Sequence, residues 1–377
     1  MTFSAMRIVA APDSFKESMT ARVAAEAIRD GALDAGLGAS QVVLVPLSDG
    51  GEGLLDVLVG VGDFDVQTMT VPNALGEPVV ARWLLEGRRA VIEVAQAVGL
   101  ADIPMGRRDI MASDTTGVGE LVLAALDAGC CEIVLGLGGT ATNDGGAGML
   151  AALGARFVDE AGAALGTTPA ALLAGGAVGM DLAGLDARLA QARVVVASDV
   201  TAPLVGALGA SATFGPQKGA TPQQVAELDG LLAGLARAAG VAGADVAGRP
   251  GAGAAGGLGW ALMLVGADLG PGFELVAGLT GLGELVSGAD LVITGEGSFD
   301  EQSLRGKVVQ GVAGLCRAAG VECQVFAGRV DLADGDALRK AGITGVTGIT
   351  PAGQPFAEAL SAGPVNLRRA VAGFLRH

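Results

Sequence analysis

Residues 132–150 read E-I-V-L-G-L-G-G-T-A-T-N-D-G-G-A-G-M-L. An apolar, strand-like run breaks into glycines that bracket Thr140, Thr142, Asn143 and Asp144, and an Ala/Leu-rich segment follows. Glycines let a backbone approach a ligand closely, and consecutive N–H groups at a helix start bind anions. Residues 290–307 have the same build, D-L-V-I-T-G-E-G-S-F-D-E-Q-S-L-R-G-K. They place Glu296, Asp300, Arg305 and Lys307 just past a second apolar run. Two glycine-rich, charged strand exits point to a phosphorylated ligand and its metal.

Further β-branched runs lie at 7–11, 42–46, 193–198, 321–327 and 345–350, mostly separated by Ala/Leu-rich stretches with helical spacing. In 20–33, Val23, Ala24, Ala27 and Ile28 share one face and Thr20 stands at the cap; 308–316 is a second such helix. Buried strands alternating with helices predict right-handed βαβ units, an α/β fold with a Rossmann-like, mostly parallel sheet. Residues 66–95 break the alternation. The runs 66–70, 79–85 and 89–95, joined by P-N-A-L-G-E-P and E-G-R, read as an antiparallel meander. It opens a second α/β domain inserted into the first. The expected division is 1–65 with 285–377 for the Rossmann-like domain and 66–284 for the insert that carries G-G-T-A-T-N-D-G-G.

In open α/β sheets ligands bind beyond the carboxyl ends of the strands. The exits here are Pro12-Asp13-Ser14-Phe15-Lys16, Ser48-Asp49-Gly50-Gly51-Glu52-Gly53, the loop after 132–137, Asp199, and Gly295-Glu296-Gly297-Ser298. Five polar loops on that side make one site or two facing ones.

Composition narrows the chemistry. The 377 residues have room for two domains, since single cores rarely exceed about 250–300 residues. A formal charge of −16 argues against nucleic acid or an anionic membrane as a partner. Against that background the four lysines are informative. Lys16, Lys218 and Lys307 sit in unusual loops and read as functional; Lys340, in A-L-R-K-A-G, reads as a solvated helix end. The one histidine is His377, so Ser-His-Asp and HExxH schemes drop out and a general base must be Asp, Glu or Lys. Cys130, Cys131, Cys316 and Cys323 match no zinc or disulfide pattern and read as buried free thiols in a reducing, cytoplasmic setting. No signal peptide or membrane span is expected.

Each motif has a plain alternative. Gly136, Gly138 and Ala141 satisfy G-x-G-x-x-A, with Asp159-Glu160 about 20 residues on, which is the pattern of an NAD-dependent dehydrogenase. The helix after it is short, however, and a dinucleotide turn has no use for Thr142-Asn143-Asp144. A purely structural glycine turn is the other reading, and a phosphate or substrate cradle is preferred. No P-loop is present, because Gly306-Lys307 is followed by Val308. Asp49 and Glu52 suit Mg²⁺, an oxygen-seeking ion, or are solvated turn charges. Asp199 ends R-V-V-V-A-S-D and is either a partly desolvated base or a helix cap. Glu296, Asp300, Arg305 and Lys307 could equally be an ion-paired helix start.

Taken together, the motifs resemble the bacterial glycerate kinase family over essentially the whole chain. They are A-P-D-S-F-K-E-S (11–18), P-L-S-D-G-G-E-G (46–53), G-L-G-G-T-A-T-N-D-G-G-A-G (136–148), F-G-P-Q-K-G-A (214–220), G-A-G-A-A-G-G-L-G (251–259) and T-G-E-G-S-F-D-E-Q-S (294–303). The resemblance implies ATP-dependent phosphorylation of glycerate, usually giving 2-phosphoglycerate, with Mg²⁺ and two α/β domains; a kinase acting on a related small hydroxy acid is the alternative. One departure stands out: where the family commonly has C-D-V-D-N-P-L, this chain has Ser198-Asp199-Val200-Thr201-Ala202-Pro203-Leu204. A contact made elsewhere by the carboxylate and amide is therefore missing.

Phosphoryl transfer needs charge neutralisation, positioning and a proton acceptor. The expected catalytic residues are Asp199 as base, Lys16 and Asp49. Gly138, Gly139, Thr140, Asn143, Asp144, Gly145, Gly146 and Lys218 are expected to hold nucleotide phosphates. Ser14, Ser298, Arg305, Lys307 and Arg329 face the substrate, with Arg305 or Arg329 pairing its carboxylate through a bidentate fork. Asp49, Glu296 or Asp300 place the metal. Partners are the small molecules ATP and glycerate, and monomer or homodimer is left open.

Overall fold

The structure is a computed structural model that describes residues 6–176, 179–304, 308–332 and 334–376. Strands β1 (Ile8–Ala10) and β2 (Val42–Leu44) come first. Strands β3 (Asp65–Pro72), β4 (Pro78–Glu86) and β5 (Arg89–Glu93) form the antiparallel meander. Then follow β6 (Glu132–Gly136), β7 (Arg156–Val158), β8 (Gly179–Asp181), β9 (Arg193–Ala197) and β10 (Asp268–Gly270). Strands β11 (Leu291–Phe299), β12 (Glu322–Val330) and β13 (Gly345–Gly348) come last.

The chain divides into two compact units, Met1–Asp49 with Asp56–Asp63 and Phe273–His377, and Gly50–Leu55 with Phe64–Gly272. These bounds differ from 65/66 and 284/285 for a local reason. Glu93, buried at the end of β5, accepts from the N–H groups of Gly53 (3.0 Å) and Leu55 (3.2 Å), which ties residues 50–55 to the second unit.

The first unit holds a five-stranded, all-parallel sheet in the order β13-β12-β11-β1-β2. Interior β1 is buried throughout, as a strand covered on both faces must be. The chain leaves β1 toward β2 on one side and meets β11 on the other, so β1/β11 is the topological switch point of a doubly wound sheet. Helix Ala21–Asp34 starts where expected, with Thr20 Oγ1 accepting from Val23 N at 3.3 Å. Its buried face is Ala21, Ala24, Ala25, Ala27, Ile28, Gly31 and Ala32, whereas Val23 is exposed, contrary to the sequence reading. Small residues are required on that face. A Cβ at Gly31 would lie 2.5 Å from Arg368 O, in the C-terminal helix Gly363–Leu375.

The second unit is built on the order β10-β9-β6-β5-β4-β3, parallel from β10 to β5 and antiparallel beyond, with β7 and β8 paired apart. Its core gathers Ile92, Ile133, Leu135, Val196, Leu258 and Trp260, and Trp260 Nε1 donates to Gly243 O at 3.0 Å. All four cysteines are free; Cys131 is half-buried and the others are buried. No helix among the described residues is long and apolar enough to cross a membrane.

Candidate active site

In the first unit, main-chain bonds continue past the strand ends: Ala11 N to Ile293 O (2.8 Å), Asp13 N to Gly295 O (2.9 Å) and Leu47 N to Pro12 O (2.9 Å). They deliver Asp13, Asp49 and Glu296 to the switch point. Beyond Asp13 the chain turns tightly, Phe15 and Met19 exchanging both backbone bonds at 2.9 Å, and Glu17 takes a left-handed φ of 64°. Lys16 is exposed on that turn. Phe15 lies over β11 because residue 295 is glycine; a Cβ there would sit 2.3 Å from Phe326 O and 3.0 Å from Phe15 Cζ. Asp13, Lys16, Asp49, Glu296 and Asp300 line a cavity of about 590 Å³, together with Ser14, Ser298 and Arg329.

Among the described residues that line this cavity, carboxylates outnumber cationic groups. Burial pushes the Asp13 carboxyl up to about 7; the Ser14 N–H, at 2.6 Å, opposes this, the Asp49 and Glu296 charges add to it, and Lys16 lowers it. Such a group wants a cation. Among the described residues no three side chains form a ready-made metal cage. Mg²⁺ does not require one, since it keeps several waters and is held by one or two carboxylates plus phosphate oxygens. The donor set fits Mg²⁺. Arg329 is already engaged, its guanidinium pairing with Asp331. Asp300 lines the same cavity, and its main-chain N–H donates to Ser303 Oγ at 3.0 Å. Arg305 and Lys307 lie outside the described residues.

Asp13 is the residue that the sequence reading passed over, although it sits inside a loop quoted there. The signal was available: a carboxylate three positions before Lys16, leaving a buried strand, satisfies the same reasoning that was applied to Asp199.

In the second unit the glycine-rich loop is largely interior. Gly138 is half-exposed and Gly139 exposed, but residues 140–150 are buried. Asp144 accepts from Thr115 N (2.9 Å), Thr115 Oγ1 (2.7 Å), Gly146 N (3.1 Å) and Gly148 N (3.0 Å), while Gly145 N donates to Gly256 O (3.0 Å). The amides of Gly145 and Gly146 are thus committed inside the protein. Burial pushes the Asp144 carboxyl up to about 6, the Gly148 and Thr115 hydrogen bonds opposing it. Asn143 Nδ2 donates to Ser211 Oγ at 3.0 Å.

Lys218 is buried as well, its Nζ donating to Thr142 O (2.7 Å) and Thr140 Oγ1 (3.3 Å). Burial pushes its ammonium down to about 7, and Asp144 only partly offsets this. Asp199 is exposed rather than desolvated, and its Oδ1 accepts from Gly272 N at 2.9 Å, the first residue of helix Gly272–Leu279. Ala202 O accepts from Gly253 N at 2.9 Å, so the departing Thr201-Ala202 segment is held by its backbone.

The G-x-G match has a packing explanation. A Cβ at Gly136 would lie 2.4 Å from Gly50 O, and one at Gly138 2.4 Å from Gly51 Cα. These glycines admit the 50–52 backbone, and Glu52 stands beside Gly139. The dinucleotide reading loses its main support.

Comparison with known proteins agrees with this architecture. The model of the glycerate kinase family matches residues 8–377. A glycerate kinase of Bacillus subtilis (strain 168) is 43% identical over 358 residues, covering 94% of this chain and 93% of that protein. A glycerate 2-kinase of Escherichia coli (strain K12) is 44% identical over 320 residues, 83% of this chain and 82% of that one. A crystal structure assigned as glycerate kinase 2 from Salmonella typhimurium LT2 superposes with a TM-score of 0.82 at 38% identity, covering 99% of this chain and 96% of the other. The kinase family replaces the dehydrogenase alternative: this chain belongs to the glycerate kinase family.

Proposed function

We propose that the protein transfers the γ-phosphoryl group of ATP to the 2-hydroxyl of glycerate, giving 2-phosphoglycerate, and that the first unit's cavity is where the transfer is organised. The observation that carries this reading, within a glycerate kinase family chain, is the cluster of Asp13, Asp49 and Glu296 beside Lys16 at the switch point of a parallel sheet. Asp49 and Glu296 would hold Mg²⁺. Bound there, the ion would neutralise charge on phosphate oxygens. Lys16 places a point charge on the transferring group, an interaction that strengthens toward the transition state. Asp13 accepts the hydroxyl proton, in preference to the exposed Asp199. The hydroxyls of Ser14 and Ser298 would orient the acid, and Arg329 would join them by exchanging its exposed pairing with Asp331 for the substrate carboxylate. In the second unit, Gly138 and Gly139 are the exposed part of the glycine loop, and Lys218 supports that loop from inside.

The test is phosphorus NMR of the product after incubation with ATP, Mg²⁺ and D-glycerate, alongside ADP release. Glycerate-dependent ADP with a 2-phosphoglycerate signal is expected. Absence of glycerate-dependent ADP overturns the activity, and 3-phosphoglycerate overturns the choice of hydroxyl.

A further inference from the structure

The 590 Å³ cavity of the first unit is far larger than a three-carbon acid requires, and its lining has two chemical characters. The carboxylates and Lys16 come from the exits of β1, β2 and β11. The remaining wall comes from the exit of β13 and the helix Phe356–Ser361: Ile349, Phe356, Ala359 and Leu360, with the amide of Gln354. Strand β13 lies two places from β11 and three from β1. At about 4.8 Å per strand, the exit of β13 stands roughly 10–14 Å from the exits of β11 and β1, which carry Glu296 and Asp13. That is the scale on which a ribose and a phosphate chain separate a nucleobase from its terminal phosphate.

Phe356 is 74% exposed although it lines a cavity, so a flat ring laid against it would remove much apolar surface from water. The wall is preformed. Ser18 Oγ donates to Leu360 O at 2.6 Å, tying this helix to the loop that bears Lys16. Asn366 Nδ2 donates to Gln354 Oε1 at 2.9 Å, fixing the amide. The acidic end repels a bare polyphosphate and accepts one that arrives with its divalent cation.

We infer that the wall of Ile349, Phe356 and Leu360 is the nucleobase pocket, with Phe356 stacking on the purine of MgATP whose phosphates run toward Lys16. This rests on the proposed kinase reading. It commits the base to the first unit and away from the second unit's glycine loop.

The experiment compares the parent protein with Phe356→Ala and Phe356→Trp, using steady-state kinetics and calorimetric binding of MgADP and of magnesium tripolyphosphate, which lacks a base. Because Phe356 is exposed, both variants should fold. Phe356→Ala should raise the KM for ATP and the Kd for MgADP tenfold or more. The KM for glycerate should move less than twofold and tripolyphosphate binding should stay unchanged. Phe356→Trp should restore nucleotide affinity. An unchanged MgADP affinity in Phe356→Ala, or an equal loss for tripolyphosphate, overturns the pocket. A parent that binds MgADP through Phe356 but never releases glycerate-dependent ADP overturns the acceptor reading and leaves the pocket standing.

Discussion

Asp13 and Asp199 both leave buried strands as carboxylates, and their surroundings separate their roles. Asp13→Asn keeps the shape while removing the proton acceptor, and kcat should fall by about 10²–10⁴ with the melting temperature retained. Asp199→Asn should lose less than about tenfold, because asparagine accepts the Gly272 N–H equally well. The reverse ranking, measured on the two purified variants, would return the base to Asp199. Lys218 makes a second prediction, in stability. Its pKa is lowered from 10.5 to about 7 in the folded chain, so between those values the unfolded chain binds more protons and stability rises with pH. The burial cost is fully present below about pH 7 and vanishes above the unfolded value. Urea melts between pH 7.5 and 9.5 should show the rise, at most ~1.4 kcal/mol per pH unit for one proton, and Lys218→Met should flatten it. Equal slopes for parent and variant would remove the buried-ammonium account.

Among the elements, strands and helices were readable because period and β-branching are local properties. The 66–95 meander, the Thr20 cap and the parallel alternation all appear where the residues put them. The polar loops were legible in position and illegible in depth. Thr142-Asn143-Asp144 looks like a ligand cradle in one dimension, since glycine marks close approach without saying to what. The partners turned out to be Thr115, Gly256 and the 50–52 backbone, which are distant in sequence. Asp13 was missed for the complementary reason: its altered proton affinity comes from burial and from Asp49 and Glu296, two charges brought by other strands. Gly138→Ala tests the packing account. Its new methyl would stand 2.4 Å from Gly51 Cα and 2.9 Å from Glu52 N, both main-chain atoms. A loss of about 1–3 kcal/mol and a melting temperature lower by several degrees are expected. A variant melting with the parent would show that the loop yields freely.

Across the whole molecule, the two units differ in how their sheets are threaded. Strand β5 pairs with β6 and β6 with β9 within one stretch of chain, whereas β1 pairs with nearby β2 on one side and with β11 from far along the chain on the other. In refolding followed by pulsed hydrogen exchange, amides of β5, β6 and β9 should gain protection before those bonded between β1 and β11, because non-local pairing carries the larger loop-closure cost. Simultaneous protection would instead mark the two units as one cooperative body. The buried first strand has a further consequence at the ribosome. Thr294 Oγ1 meets Ala11 O at 2.8 Å across 283 positions of sequence. At roughly 5–20 residues per second, Ala11 waits some tens of seconds for Thr294 to be translated. Throughout that wait β1 has only β2 beside it and its other edge stands open, which makes this short apolar pair a natural client of a chaperone.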